Sequence, residues 1–228
     1  MAPSARPETL TRSVEDYLKA IYRLSLGGTP AGTTEIAHLL DLAPASVTGM
    51  VKRLSEQGLL EHVRYKGVEL TATGRRAALR MVRRHRILES YLVAFLHYTW
   101  DTVHEEAEQL EHAVSDGLIE RMATALGNPS VDPHGDPIPA PDGSMVELVY
   151  TPLAEVPVGE NVELRRVETG QADRLRFFAE RGLVPGAAVV VTDRQPFGGP
   201  MTVRTSGREH LLGAELAGVL LCARAEVR

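Results

Sequence analysis

Cysteine is almost missing from this chain of 228 residues, which holds one. A single thiol forms no internal disulfide and no thiolate zinc cage. Cys222 lies in the apolar run VLLCA, where it reads as core filler rather than a reactive group. Long apolar runs are missing as well. The longest, YLVAFL from Tyr91 to Leu96, is far too short to span a bilayer. The opening MAPSARPETLTRS has no apolar stretch of signal-peptide type, so the expected location is the cytoplasm, with no membrane partner. Internal repeats and low-complexity tracts are not evident. What is present, 43% hydrophobic residues and 24% charged ones, suffices for sizeable globular cores.

The net charge of −5 conceals an asymmetry. Residues 1–86 carry a net +6 and residues 87–228 a net −11. A basic front half on an acidic chain is the footprint of a nucleic-acid module joined to something else. The pattern within that half agrees. Val14, Leu18, Ile21, Tyr22 and Leu24 form a helical stripe that Ser13 can cap and Gly27-Gly28 end. TTEIAHLL reads as a short helix capped by Thr33 or Thr34. The turn DLAP follows, and Pro44 suits the first turn of the helix PASVTGMVKRLSEQG. Here Val47, Val51 and Leu54 face inward, whereas Ser46, Thr48, Gly49, Lys52 and Arg53 are mainly outward. LLEHVRYKGVELT alternates, turns at Lys66-Gly67 and alternates again, as a hairpin does. This order spells a winged helix-turn-helix. Its second helix presents small polar and basic groups to a major groove, and Arg64 and Lys66 at the hairpin tip can lie along phosphate. Thr33, at the start of the short helix, is a further candidate contact. A small α+β interaction module of similar order is the bland alternative.

A long helical pattern starts at Thr73 and carries His85 and Glu89 one turn apart. Another starts at Asp101 or Thr102 and carries His104, Glu108, Glu111 and His112. Offsets of 0, +4, +7 and +8 put these four on one face, beside the apolar stripe Val103, Ala107, Leu110 and Val114. Imidazole with several carboxylates and no thiolate is a ligand set for Mn2+ or Fe2+. His85 and Glu89 repeat this i, i+4 geometry, so two packed helices could converge imidazole and carboxylate groups on a shared cleft, although either residue taken singly reads as exposed helix surface. HEEAE is not the metalloprotease motif H-E-x-x-H, because Glu108 stands where the second His belongs. Ser115 caps a third helix, which Gly127 ends. Leu88, Leu92, Phe95, Leu118 and Ile119 are candidates for a dimer face. Residues 128–160 hold seven of the fourteen prolines and read as a linker that crosses a surface rather than being floppy throughout. Beyond it, short β-runs with turns at Gly198-Gly199 and Ser206-Gly207 and one helix, ADRLRFFAERG, suggest a small barrel.

SVEDYLKAIY, PASVTGMVKRLSEQGLL, TATGRRAALRMVRRHRILESYL, VHEEAEQLEHAVSD and DPHGDPIP together resemble the diphtheria-toxin-repressor family of metal-dependent regulators. The resemblance spans residues 10–140 and continues more weakly into an SH3-like C-terminal domain. It implies a mainly α protein with a small β domain, divided as follows: a winged helix-turn-helix (1–73), a helical metal-binding and dimerisation domain (74–140), a linker (141–152) and an SH3-like barrel (153–228). The implied principal metal site falls on Asp16, Glu108, Glu111 and His112, with His85 close by. An ancillary site would use His85, Glu89 and His104, completed from the C-terminal domain by Glu168, Gln171 or Asp173. Both sites claim His85. In the recognition helix, the family's groove-facing positions fall on Ala45, Ser46, Thr48 and Gly49.

Iron-responsive members place Met and Cys where this chain has Asp16 and Glu108. Oxygen at both positions resembles the manganese-responsive branch, because hard donors suit Mn2+. Two-domain manganese regulators carry another carboxylate one turn after the Asp, where this chain has Lys19, so one principal and one ancillary site are expected. The implied function is repression of metal-homeostasis genes: a homodimer binds double-stranded operator DNA when Mn2+, or alternatively Fe2+, is bound. No enzyme activity and no organic cofactor are expected. The rivals are a winged-helix regulator answering a small organic ligand, and a metal-dependent hydrolase using His104, Glu108 and His112.

Overall fold

The computed structural model describes residues 10–146 and 148–224. Two compact units emerge, one up to Arg84 together with Pro139–Ser144, the other His85–Ile138 with the chain from Met145 onward. Their boundary falls inside one helix.

The first unit contains helices α1 (Arg12–Leu24), α2 (Thr33–Leu40) and α3 (Pro44–Glu56), then strands β1 (Leu60–Val63) and β2 (Gly67–Leu70). The α1 stripe is realised as expected, with Val14, Leu18, Ile21 and Tyr22 buried, but Thr11 rather than Ser13 precedes the helix. The cap of α2 also differs from the expected threonine. Gly32 takes that place, and Glu35 reaches back to accept from the Gly32 N–H at 2.9 Å. Pro44 opens α3, where its missing N–H costs nothing. Val47, Val51 and Leu54 are buried from that helix, so its other face is left outward. The hairpin pairs Val63 with Gly67, which leaves Arg64, Tyr65 and Lys66 as the turn. β2 also bonds to Ala31, with Ala31 N–H to Val68 O at 2.9 Å and Val68 N–H to Ala31 O at 3.0 Å. Gly67 makes this possible. Its φ is +123°, and a Cβ there would stand 2.2 Å from the Ala31 carbonyl oxygen.

Helix α4 (Ala72–Leu96) is followed by α5 (Val103–Leu110) and α6 (Asp116–Ala125). Ile87, Leu88, Ala107, Ile119 and Ala123 form a small core with Ile138. Leu88, Leu92 and Ile119, expected at a dimer face, are instead buried within the chain, whereas Phe95, Leu96 and Leu118 stay exposed. Ser115 caps α6 as expected, its hydroxyl oxygen accepting from the Leu118 N–H at 3.3 Å.

The remaining elements are β3 (Thr151–Pro152), β4 (Asn161–Val167), α7 (Ala172–Ala179), β5 (Ala188–Arg194), β6 (Met201–Thr205), β7 (Arg208–Leu212), a short helix α8 (Ala214–Gly218) and β8 (Leu220–Arg224). They build a six-stranded antiparallel sheet in the order β3-β8-β4-β5-β6-β7. One helix was expected and two are present, since the Ala217 N–H bonds to the Gly213 carbonyl and closes a further turn. Ser206 and Gly207, at φ of 47° and 75°, form the tight turn that a twisted hairpin needs. Inward residues of β4, β5, β6 and β8 pack on Leu175 and Phe178 of α7, with Cys222 among them. Burial pushes the Cys222 thiol up to about 12, so it is core filler as expected. Among the described residues, no helix is long and apolar enough to cross a membrane.

Gly67→Ala should destabilise the first unit by about 1–3 kcal/mol, through φ strain and the forced separation from Ala31. Urea unfolding of the variant beside the parent checks this, and an unchanged midpoint contradicts the close approach.

Candidate metal centre and nucleic-acid face

Part of the polar set of the helical domain is folded into its interior, while His104 and Glu108 stay partly exposed. His85 and Glu89, one turn apart on α4, are only 6% and 2% exposed. The surface reading of either residue taken singly is thereby overturned. Glu111 is wholly buried. The other half of the set departs from the sequence reading in one respect. Helix α5 ends at Leu110, so Glu111 and His112 lie in the turn beyond it rather than on its face. The Glu111 N–H still bonds to the Ala107 carbonyl at 2.9 Å, while the Ala113 N–H bonds three residues back to Leu110 and tightens the turn.

His85 joins both parts of the constellation. Its Nδ1 lies 2.6 Å from Glu111 Oε2 and its Nε2 lies 2.9 Å from Glu89 Oε1. His104 Nδ1 closes a triangle, at 3.0 Å from His85 Nε2 and 3.0 Å from Glu89 Oε1. Protons serve such a triangle poorly, because one N–H cannot satisfy all three edges. A small divalent cation serves it well. Two donors at right angles, each about 2.1 Å from a metal, stand about 3.0 Å apart. Glu108 Oε1 lies 3.6 Å from His104 Nε2, and Glu111 Oε1 lies 3.4 Å from His112 Nε2. Ligand atoms of His85, His104 and Glu108 fall within 4.8 Å of one another, as a metal site requires. Asp16 sits on α1 in the first unit, partly buried.

A second buried group uses residues that sequence reasoning did not single out. Ligand atoms of Glu89, Asp132 and His134 also lie within 4.8 Å of one another, and all three residues are buried. Glu89 therefore belongs to two clusters, with Oε1 toward His85 and His104 and Oε2 3.8 Å from His134 Nδ1. The His134 Nε2–H donates to the Trp100 carbonyl at 2.7 Å, and the Trp100 and His134 rings stack. Burial lowers the His134 pKa, but the Glu89 hydrogen bond and charge, the Asp132 charge and the Trp100 carbonyl together push it up to about 9. Burial, followed by the charges of Asp136 and Glu89, pushes the Asp132 carboxyl up to about 7. For Glu89, burial acts upward, yet hydrogen bonds to His104, His134 and His85 outweigh it and hold the carboxyl below its usual range. Asp132 and His134 stand in DPHGDPIP, a stretch with no period, so no helical face announced them.

That stretch is not a loose linker. Asp132 Oδ1 accepts from the His134 and Asp136 N–H groups at 2.8 and 3.0 Å, which curls the loop. Arg86 of α4 pairs with Asp132 at 3.5 Å and Asp136 at 3.4 Å, and donates to the Pro137 carbonyl. Arg166 of β4 pairs with Asp136 at 2.8 Å. The Val167 N–H bonds to the His134 carbonyl at 2.9 Å. A Cβ on Gly135 would stand 1.9 Å from the Arg165 carbonyl oxygen. The loop is thus clasped between α4 and the C-terminal sheet. Glu168 turns to Arg166 at 3.2 Å, and Gln171 precedes α7. Among the described residues, neither Glu168 nor Asp173 joins a metal-type group.

In the first unit, Ala45, Ser46, Thr48, Gly49, Lys52 and Arg53 are all exposed on α3, as predicted. The Thr48 hydroxyl donates back to the Pro44 carbonyl at 3.0 Å, and Lys52 lies 3.9 Å from Glu56. Thr33 is partly buried at the first position of α2. At the wing tip Arg64 and Lys66 are exposed, and Tyr65 between them, not singled out from the sequence, is 90% exposed with φ of 63°. The Arg64 guanidinium lies 4.8 Å over the Tyr65 ring and donates to its hydroxyl at 2.9 Å.

Three family models match the chain. They are the N-terminal DNA-binding domain of iron-dependent repressors over residues 9–68, the metal-binding and dimerisation domain of the same repressors over 71–140, and the FeoA domain over 151–224. The iron-dependent repressor IdeR of Mycobacterium tuberculosis is 33% identical over 218 residues, covering 89% of this chain and 92% of the relative. The diphtheria toxin repressor of Corynebacterium diphtheriae is 27% identical over 221 residues, covering 91% and 95%. Among solved structures, a manganese-dependent transcriptional repressor in complex with manganese superposes with a TM-score of 0.84 at 37% identity, covering 93% of this chain and all of that one. The manganese regulator SloR gives 0.75 at 32%, covering 95% and all of that chain. A DNA-binding winged helix joined to a metal-binding dimerisation domain defines a class, the metal-dependent transcriptional repressors. The chain belongs to the iron-dependent repressor family, with an SH3-like FeoA domain at its C-terminal end.

The raised pKa values have a consequence for cation binding. With His134 raised from 6.5 to about 9, its stabilising contribution is complete below pH 6.5 and lost as pH rises through 9. Asp132, raised from 3.8 to about 7, acts in the same direction over that lower window. A cation that ligates the deprotonated groups gains what the protons lose. The Tm increment produced by saturating Mn2+ should therefore be larger at about pH 8 than at about pH 6, and His134→Ala should flatten the difference. Equal increments in the parent protein would contradict the assignment. Separately, Asp136→Asn should cost about 2 kcal/mol in urea unfolding, because it leaves Arg86 and Arg166 under-compensated.

Proposed function

We propose that the chain is a Mn2+-responsive repressor that binds operator DNA as a homodimer and governs genes of metal homeostasis. The observation that carries this reading is the triangle of buried His85 Nε2 and Glu89 Oε1 with partly buried His104 Nδ1, its edges 2.9–3.0 Å, inside a dimerisation domain. Oxygen and imidazole donors without sulfur fit Mn2+ first and Fe2+ second. The reading assigns Glu108, Glu111, His112 and Asp16 to a principal site. Glu89, Asp132 and His134 make up an ancillary one, and His85 and His104 stand between them. Glu168 and Gln171 fall outside this assignment. When bound, a divalent cation supplies the charge that lets several carboxylates share a low-dielectric interior.

Asp16 belongs to the DNA-binding domain, whereas Glu108, Glu111 and His112 belong to the dimerisation domain. Ligation by both sets ties DNA affinity to metal occupancy. In a dimer the two α3 helices must meet half-sites about 34–36 Å apart, or a multiple of it. Lys52, Arg53, Arg64 and Lys66 supply phosphate contacts, so affinity falls steeply with salt. Exposed Phe95, Leu96 and Leu118 are the apolar groups available for dimer contact. Such a repressor works beside the chromosome, in the cytoplasm. Family membership does not favour the small-organic-ligand or hydrolase readings.

The test titrates Mn2+, Fe2+ and Zn2+ into metal-free protein while following binding to the promoter DNA of its own gene. Mn2+ should switch binding on. Asp16→Ala and Glu111→Ala should each weaken the metal-dependent step at least tenfold. DNA binding that ignores metal, or a Glu111→Ala variant that responds as the parent does, would falsify the sensor reading.

A further inference from the structure

Trp100 lies in the turn between α4 and α5 and is partly buried. Its indole nitrogen is shut off from solvent and, among the described residues, has no hydrogen-bond partner. A buried indole N–H ordinarily finds one, because an unpaired donor in the interior is costly. Space-filling alone therefore does not account for tryptophan here, since phenylalanine or leucine fills space without orphaning a donor. The ring face does account for it. The indole packs against the C-terminal core and also lies on the His134 imidazole, the two planes 21° apart. The same residue grips that imidazole a second time, because the His134 Nε2–H donates to the Trp100 carbonyl at 2.7 Å. Nδ1 is then the ring atom left for ligation, and it lies 3.8 Å from Glu89 Oε2 within the Glu89, Asp132 and His134 group. A histidine that binds metal through one ring nitrogen depends on a hydrogen bond at the other, which fixes both tautomer and ring direction. The turn that supplies this bond is itself anchored, since Asp101 pairs with Arg176 of α7 at 3.2 Å.

We propose that Trp100 is the positioning residue of the ancillary site: its ring and its carbonyl together hold the His134 imidazole with Nδ1 toward Glu89 and Asp132. The inference deepens the metal-binding reading and rests on it. Trp100 contributes no ligand atom. It acts by removing, before any cation arrives, orientational freedom that binding would otherwise have to take from the imidazole. Without the indole face, the His134 side chain turns about its own bonds and must be ordered afresh each time a cation binds. The effect is confined to the ancillary site, since His134 is no part of the principal one. Because the indole also packs on the C-terminal core, that domain reaches the site through an aromatic wedge rather than through a ligand of its own.

The experiment follows Mn2+ binding to metal-free full-length protein by titration calorimetry, with the two sites read as separate steps. Trp100→Leu keeps apolar bulk against the C-terminal core but removes the stack. It should weaken the ancillary step at least about tenfold. The principal step should be unchanged, which also shows that the variant is folded. Trp100→Phe restores a flat ring and should recover the ancillary step to within about threefold of the parent. His134→Ala should weaken that step at least as much as Trp100→Leu does, and combining the two should weaken it no further, because one residue acts through the other. An ancillary step undisturbed in Trp100→Leu overturns the proposal. Equal losses at both steps, or additive losses in the double variant, overturn it as well, because Trp100 is then a packing residue only. A parent that shows no second step, or a His134→Ala variant that binds Mn2+ as the parent does, ends the ancillary assignment itself and takes the proposal with it.

Discussion

Everything in the helical domain is arranged around the burial of Glu89. A carboxylate that is 2% exposed is untenable without compensation, since desolvation alone would drive it to its neutral form. Three imidazoles supply the compensation, His85 and His104 on one oxygen and His134 toward the other. Each comes from a different part of the chain: His85 from α4 itself, His104 from α5 and His134 from the proline-rich loop. The packing of those three parts follows from what the carboxylate needs. Protons answer that need incompletely, which leaves a close group of lone pairs of the kind a metal ion takes.

The loop carrying His134 does two things with one set of atoms. Asp132 curls it and offers a ligand oxygen, while Asp136 gathers Arg86 from α4 and Arg166 from β4. The His134 carbonyl meanwhile takes the Val167 N–H of the C-terminal sheet. Ligand placement and domain attachment are thereby coupled: a movement of β4 is felt at the His134 ring, and loss of the loop's curl is felt at the sheet. This coupling involves none of the side chains first considered as C-terminal ligands. Glu168 is drawn to Arg166 and serves the clasp from outside.

The winged helix was legible because its signals are local. Pro44 at a helix start, Val47, Val51 and Leu54 at helical spacing, and an alternating hairpin each declare themselves within a few residues. The His104 to His112 constellation was legible for the same reason, although the helix stops at Leu110 and the last two candidate ligands occupy a turn. Asp132 and His134 were not, because nothing periodic surrounds them and their partners lie more than thirty residues away in sequence. Burial of His85 and Glu89 was equally hidden. An i, i+4 His–Glu pair looks the same on a solvated face and in a core, and the third dimension decides between them. The dimer-face candidates divide in the same way: Leu88, Leu92 and Ile119 are claimed by the chain's own core, and Phe95 and Leu118 are not.

Trp100 is the chain's sole tryptophan, and its ring stacks on His134 with centroids 5.6 Å apart while packing against the C-terminal core. An imidazolium stacked on the indole quenches its emission by accepting an electron from the excited ring, which a neutral imidazole does far less. The protein thus carries a built-in optical gauge at the junction of the Glu89, Asp132 and His134 group and its C-terminal domain. Because Trp100 is the one tryptophan, its emission, excited at wavelengths that the six tyrosines do not absorb, reports the state of that junction without a label.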